Sequence, residues 1–291
     1  MNYEERVREI VTKKLKERVQ NITDSSIGED HNVFIVQTNR RELVFRFPIR
    51  KNTNSLKVQN SIYLKCALKG IKVPKPILIS KDYMVETRIP GKDFKHCNIS
   101  FEDKRKVLFN LAKDLRKLHS IKLSKYGKIN LRGIGSSKMW KDYYGNIFEN
   151  NIQNLEKHKL LSKKNLSLVK EYYLKNKYLM TFSDPSLVHF DIGKHNFMVC
   201  NKKYAGIIDF ADSVSGDPMS DFARLNTFYS KKFLAQSIYK GYGKIDQKRI
   251  DFYSVCILLR HIYKFTVQSY EKGTKERKTR IMMEIINESR S

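Results

Sequence analysis

Between Leu187 and Ala223 the chain reads LVHFDIGKHNFMVCNKKYAGIIDFADSVSGDPMSDFA, with acids placed where two apolar runs end. Asp191 follows Leu187-Val188-His189-Phe190, and Asp209 follows Gly206-Ile207-Ile208. Asn196 comes five residues after Asp191, across a short loop that holds Gly193. A turn of that length lets Asp191 and Asn196 face a common point, while Asp209 arrives from a neighbouring strand. A metal-free carboxylate, with an amide oxygen and a second acid on Mg²⁺, is the set that phosphoryl transfer needs. In that chemistry the ion neutralises phosphate, and Asp191 orients or deprotonates an attacking hydroxyl. A lone H-x-D would read as ordinary loop acids capping strands and turns. H-x-D-x4-N, then I-I-D-F, then G-D-P-x-x-D, in this order and spacing, is far more specific.

The elements that must position these residues are legible in the patterning. Tyr3 to Val19 carries apolar residues at Val7, Ile10, Val11, Leu15 and Val19, a helical stripe. Asn32 to Gln37 and Glu42 to Phe47 alternate like strands around a Thr38-Asn39-Arg40 turn, and Pro48 ends the second run. A helix from about Leu56 to Leu68 stops at Gly70, and two more strands are expected at Ile77 to Ser80 and Tyr83 to Thr87. Pro90-Gly91 breaks the pattern and marks the boundary between two lobes. Beyond it, Ser100 and Asp103 form a capping box before a stripe of Val107, Leu108, Leu111, Leu115 and Leu118. Trp140 to Leu160 and Leu166 to Leu179 are helical in pattern, and short strands follow at Leu187 to Phe190, Phe197 to Cys200 and Gly206 to Phe210. From Asp221 onward the chain reads as helix, with Lys272 to Arg280 as a solvated basic loop. The class is α+β: a small sheet lobe with one helix, then a larger helical lobe holding short strands.

Composition narrows the function. Hydrophobic residues make up 41% of the 291, enough for a folded core. No apolar run approaches the roughly 20 residues that span a bilayer, so no membrane role is expected. The polar start from Met1 to Arg8 does not read as a secretory signal. Four cysteines (Cys66, Cys97, Cys200, Cys256) lie far apart, which disfavours a zinc site or disulfide framework and fits a reduced, cytoplasmic protein. The net charge of +27 invites a nucleic-acid reading. The basic residues are scattered through every segment, however, without zinc-finger spacing or an RNA-recognition signature, so no specific nucleic acid is expected. A monomer is expected.

The Leu187 to Ala223 segment resembles the aminoglycoside phosphotransferase family, whose members include aminoglycoside, hygromycin and macrolide kinases with a protein-kinase-like fold. Ile27-Gly28 through Asn32 is similar to the family's nucleotide-covering loop, and Phe45-Arg46-Phe47-Pro48 to its phosphate-binding strand. Val85 to Gly91 is similar to its inter-lobe hinge, and Leu111 to His119 to the first large helix of its C-lobe. The resemblance implies an N-lobe over residues 1–89 that binds nucleotide, and a C-lobe over 90–291 that binds acceptor and carries catalysis. It implies Asp191 as catalytic base and Asn196 and Asp209 as Mg²⁺ ligands. It also implies ATP or GTP held by Gly28, Asn32, Arg46 and the hinge backbone at Glu86 to Arg88. His189 is expected to hold the loop in shape, Asp217 to cap a helix, and Asp221 to anchor the loop. Two departures stand out. Arg46 occupies a position where protein kinases have Lys, and guanidinium also pairs with phosphate. Kinases set a Glu on the following helix against that cation, but no acid occurs between Glu42 and Asp82. Gln59, Asn60 or Ser61 would have to substitute.

The stretch from Asp209 to Asp217 is too short for a peptide-docking segment, so a small alcohol is the expected acceptor. An aminoglycoside- or macrolide-type antibiotic leads. A choline- or homoserine-like metabolite, or a degenerate chain that binds nucleotide without turnover, is the alternative. A polycationic acceptor needs carboxylates around it. The acids beyond Asp212 (Asp217, Asp221, Asp246, Asp251, Glu271, Glu276, Glu284, Glu288) are spread through the helical region expected to flank it, where they could form an acidic groove.

Overall fold

The computed structural model describes residues 2–25, 31–49, 53–182, 184–267 and 274–289. Asn2 caps the first helix, α1 (Tyr3–Ile10), its side chain accepting from the N–H groups of Glu4 and Glu5. A π-helical turn over Val11–Leu15 ends at Lys16 in the left-handed conformation, φ 56°. The apolar stripe therefore does not continue as helix to Val19. Val19 instead opens β1 (Val19–Asp24), which pairs with β2 (His31–Thr38).

With β3 (Glu42–Pro48), β4 (Pro76–Ile79) and β5 (Met84–Thr87) these strands form an antiparallel sheet ordered β1-β2-β3-β5-β4. Strand alternation divides the sheet's residues between two jobs. Leu43, Phe45 and Phe47, with Phe34, Val36 and Val85, pack against Val7, Ile10 and Val11 in a small core under α1. Val44, Arg46 and Glu86 face the other way, into a cavity. Helix α2 (Thr53–Leu68) connects β3 to β4 and joins the larger core through Leu56, Ile62, Tyr63 and Cys66.

The rest of the chain is mainly helical. β6 (Lys92–Asp93) leads to α3 (Phe101–His119), whose Ser100 cap accepts from the Asp103 N–H at 3.1 Å. A β-carbon on Gly91 would collide with the Val199 carbonyl, so this crossing admits only glycine. β7 (Tyr126–Ile129) and β8 (Gly135–Ser137) precede α4 (Trp140–Lys157) and α5 (Lys163–Asn176). β9 (Ser186–Val188), β10 (Phe197–Cys200), β11 (Lys203–Ile207) and β12 (Val214–Gly216) follow. They form two small sheets, ordered β11-β10-β6 and β8-β7-β12-β9. The chain then runs through α6 (Met219–Asn226), the short turns α7 (Lys231–Leu234) and α8 (Lys240–Tyr242), α9 (Gln247–Val267) and α10 (Thr274–Glu288).

The basic stretch expected as a solvated loop is helical from Thr274. Residue spacing explains the difference: Thr274, Lys278, Met282 and Ile285 are buried along one face of α10. The Lys278 ammonium lies 4.6 Å from the centre of the Phe228 ring, so the aliphatic stem is buried while the charge meets an aromatic face. Lys272 lies outside the described residues. Among the described residues no helix is long and apolar enough to cross a membrane.

Candidate active site

Asp191 sits in the loop after β9, and that loop is hung from α6. The Asp221 carboxylate accepts the His189 N–H on Oδ2 (3.0 Å) and the Phe190 N–H on Oδ1 (2.7 Å), and also bonds His119 Nε2 (3.0 Å). These bonds hold Phe190 at φ 68°, a left-handed backbone that a bulky residue adopts only under constraint. The imidazole of His189 donates from Nε2 to the Ile208 carbonyl (2.9 Å), and its Nδ1 accepts the Asp191 N–H (3.3 Å). It holds the loop, as the sequence led us to expect. Asp217 likewise turns inward, accepting the Met219 N–H and the Tyr253 hydroxyl.

The Asp191 carboxylate has two partners. Asn196 Nδ2 donates to Oδ2 at 2.9 Å, and Arg224 lies 2.5 Å from Oδ1. Arg224 was not anticipated. It stands one turn beyond Asp221 on α6, and that i, i+3 spacing was the available signal. A β-carbon at Gly193 would come within 2.9 Å of Arg224 Nε, so a larger residue there would have to displace that side chain. Lys194 points elsewhere, its ammonium over the Phe228 and Tyr229 rings at 5.2 and 4.7 Å.

Asp209 follows β11 at φ 63°, a second left-handed residue. The Ile208 N–H donates to the Asn196 carbonyl at 2.9 Å, so the two loops that carry Asp191 and Asp209 are stitched together. Asp209 Oδ1 is buried without a hydrogen-bond partner, 3.8 Å from Arg46 Nη1. That carboxylate oxygen, with the Asn196 side-chain oxygen on the adjoining loop, supplies hard-oxygen donors of the kind that fits Mg²⁺.

The acid opposite Arg46 comes from the sheet. Arg46 Nε donates to Glu86 Oε1 at 2.9 Å, and both side chains are buried. Neither Gln59, Asn60 nor Ser61 of α2 takes that place. Val44 pairs with Glu86 and Arg46 with Met84, so Arg46 and Glu86 are diagonal neighbours on one face of adjacent strands. Burial pulls the Arg46 guanidinium toward neutrality, but the carboxylates of Glu86 and Asp209 outweigh it and hold the group firmly charged. Burial pushes the Glu86 carboxyl up, against the pull of Arg46.

The cavity in front of this pair, about 320 Å³, is lined by Val33, Ile35, Val44, Arg46, Glu86 and the hinge residues Thr87 to Ile89 among others. Asn32 is not among them, because it alternates to the opposite face from Val33. Arg88 points its guanidinium at Glu42 (2.7 Å). The Thr87 and Arg88 N–H groups already donate to the carbonyls of Lys75 and Glu42. Gly28 lies outside the described residues. A second, larger cavity of about 1040 Å³ opens between α2, the β7–β8 turn, α4 and α9, beside Phe190 and Phe210. The structure thus brings together Asp191 with Asn196, and Arg46 with Glu86 and Asp209, between two cavities.

Comparison with known proteins gives two findings. A family model described as the phosphotransferase enzyme family matches residues 22–253. Among solved structures, apo aminoglycoside phosphotransferase APH(4)-Ia superposes with a TM-score of 0.72 at 17% identity, over 97% of this chain and 99% of that one. Its ternary complex with AMP-PNP and hygromycin B gives 0.74 at 16%, covering 97% and 98%. The streptomycin–ATP complex of APH(2")-IIa gives 0.64 at 21%, covering 98% and 97%. At these identities the likeness is one of fold. No curated sequence matches the chain.

Proposed function

The chain belongs to the phosphotransferase enzyme family, and from that premise we propose that it moves the terminal phosphoryl group of ATP or GTP to a hydroxyl of a small, antibiotic-like molecule. The carrying observation is the convergence of the Asp191–Asn196 pair and the Arg46–Glu86–Asp209 cluster between a smaller and a larger cavity. In this reading residues 1–89 bind the nucleotide in the smaller cavity, and residues 90–291 carry catalysis and hold the acceptor. Arg46, fixed by Glu86, meets the phosphates. Asn196 and Asp209 would hold Mg²⁺, which would neutralise charge on the phosphate oxygens. The purine edge meets hinge groups other than the committed N–H donors of Thr87 and Arg88. Asp191, oriented by Arg224 and Asn196, accepts the acceptor's hydroxyl proton as its oxygen bonds the γ-phosphorus and the bond to the β–γ bridging oxygen breaks. The enzyme acts as a cytoplasmic monomer.

The absence of an acid on α2 had favoured a chain that binds nucleotide without turnover. Glu86 supplies that carboxylate from β5, so the observation no longer favours that alternative. The test is acceptor-dependent ADP or GDP formation in the presence of Mg²⁺. Nucleotide that neither binds nor turns over with any of a broad set of alcohols would sink the proposal.

A further inference from the structure

We propose that the acceptor carries an anionic group, a carboxylate or a phosphate, in addition to its reactive hydroxyl, and that the larger cavity is built against polycations. This deepens the phosphotransferase reading and rests on it.

The walls of the cavity carry the argument. Lys128 flanks it from β7 and Arg132 from the β7–β8 turn, and Arg260 and Lys264 from α9, one helical turn apart. Asp212 is the one carboxylate in the lining among the described residues. Among the described residues, the acids that could have formed an acidic groove are engaged elsewhere or lie outside the lining. Asp217 and Asp221 are buried in the α6 network, and Asp246 pairs with Arg249 at 3.4 Å. Asp251 and Glu288 share Lys231, and Glu284 faces Arg280. Glu276 is exposed outside the lining, and Glu271 falls outside the described residues. Among the described residues, a multiply charged ammonium compound would meet a lining with one carboxylate and four cations, too few acids to balance its charges.

Two further polar side chains lie in the cavity wall. Gln59 is 1% exposed and Ser213 7%, and both line it. Neither amide atom of Gln59, nor the Ser213 hydroxyl, has a hydrogen-bond partner in the protein. Buried polar atoms left unpaired are costly. Val58, Leu131, Ile147 and Tyr143 add apolar surface for the body of the molecule. The cavity thus offers an apolar wall and cations on two sides.

The probes are 4-nitrophenyl β-D-glucuronide, the matching glucoside, which carries a neutral hydroxymethyl group in place of the carboxylate, and kanamycin. Binding of each to the full-length protein is measured by calorimetry at low and moderate salt, and ATP·Mg²⁺ is titrated separately. The glucuronide is expected to bind about tenfold more tightly than the glucoside, as one charge-assisted contact provides. That preference should shrink as salt is added. Kanamycin should bind more weakly than either. In Arg260→Gln/Lys264→Gln, and in Arg132→Gln as an independent variant at the exposed rim, the preference should collapse toward unity with the melting temperature retained. Equal binding of glucuronide and glucoside, or preferential binding of kanamycin, overturns the inference while leaving the phosphotransferase reading intact. Failure of ATP·Mg²⁺ to bind strikes at that reading instead.

Discussion

The Arg46 guanidinium and the Glu86 carboxylate are withdrawn from water as a pair, and neither is tolerable there alone. Replacing Glu86 by alanine leaves a buried cation whose remaining neighbour is the more distant Asp209, which should cost about 3–5 kcal/mol. A urea unfolding curve checks this, and a midpoint within error of wild type would show that the pair is not buried in solution. Arg46→Ala should raise the nucleotide KM strongly, with Arg46→Lys milder because charge survives while the Nε bond to Glu86 is lost. Asp191 and Asp209 separate by role. Asp191→Ala should lose nearly all transfer, about 10²–10⁴-fold, with nucleotide binding retained. Asp209→Ala should lose Mg²⁺-dependent nucleotide affinity. Rapid turnover by Asp191→Ala, or unchanged affinity in Asp209→Ala, would overturn the respective assignment.

At the scale of elements, α6 works as a bracket for the catalytic loop. One of its acids takes two backbone N–H groups of the loop, and its arginine takes the Asp191 carboxylate one turn later. Asp221→Ala strands both donors in a buried region and releases His119, so a loss of about 3 kcal/mol or more in stability is expected. Catalysis should suffer more than nucleotide affinity, because Phe190 is no longer held in its left-handed turn. Comparing kcat with the nucleotide dissociation constant separates the two, and a variant with normal kcat would show that the loop is held by other means. The longer elements were legible because their periodicities are long enough to register. β6, β8 and β12 have two or three residues each, too few for alternation to appear, and only their pairing partners make them strands.

At the scale of the whole molecule, charge and burial meet at His261 on α9. Burial, with Arg224, Lys278, Arg260 and Lys264 nearby, depresses this imidazole from 6.5 to about 2. Its unfolded form therefore binds a proton that the folded form refuses. Stability is fully present above pH 6.5 and falls as pH drops from there toward about 2. The slope approaches about 1.4 kcal/mol per pH unit, so about 2 kcal/mol should be lost by pH 5. Urea midpoints between pH 7 and 5 should fall less steeply in His261→Gln. Parallel slopes would mean that the histidine titrates normally in the folded protein.

By itself the sequence determined what rests on neighbours along the chain: the Asp191–Asn196 turn, the acid at the end of β11, the sheet alternation, and the helices with long apolar stripes. Those features depend on spacing within a few residues, and spacing is what a sequence records. The tertiary structure decided the rest. Glu86 faces Arg46 across 40 positions, because strand pairing, not chain order, sets which side chains are diagonal neighbours. Arg224 reaches Asp191 because α6 folds back under the loop. Of the acids that could have surrounded a polycation, those among the described residues lie outside the lining, while Lys128, Arg132, Arg260 and Lys264 meet around one cavity. A net charge of +27 states how many cations there are; only packing decides which of them share a wall, since each side chain goes where its own helix or turn is buried.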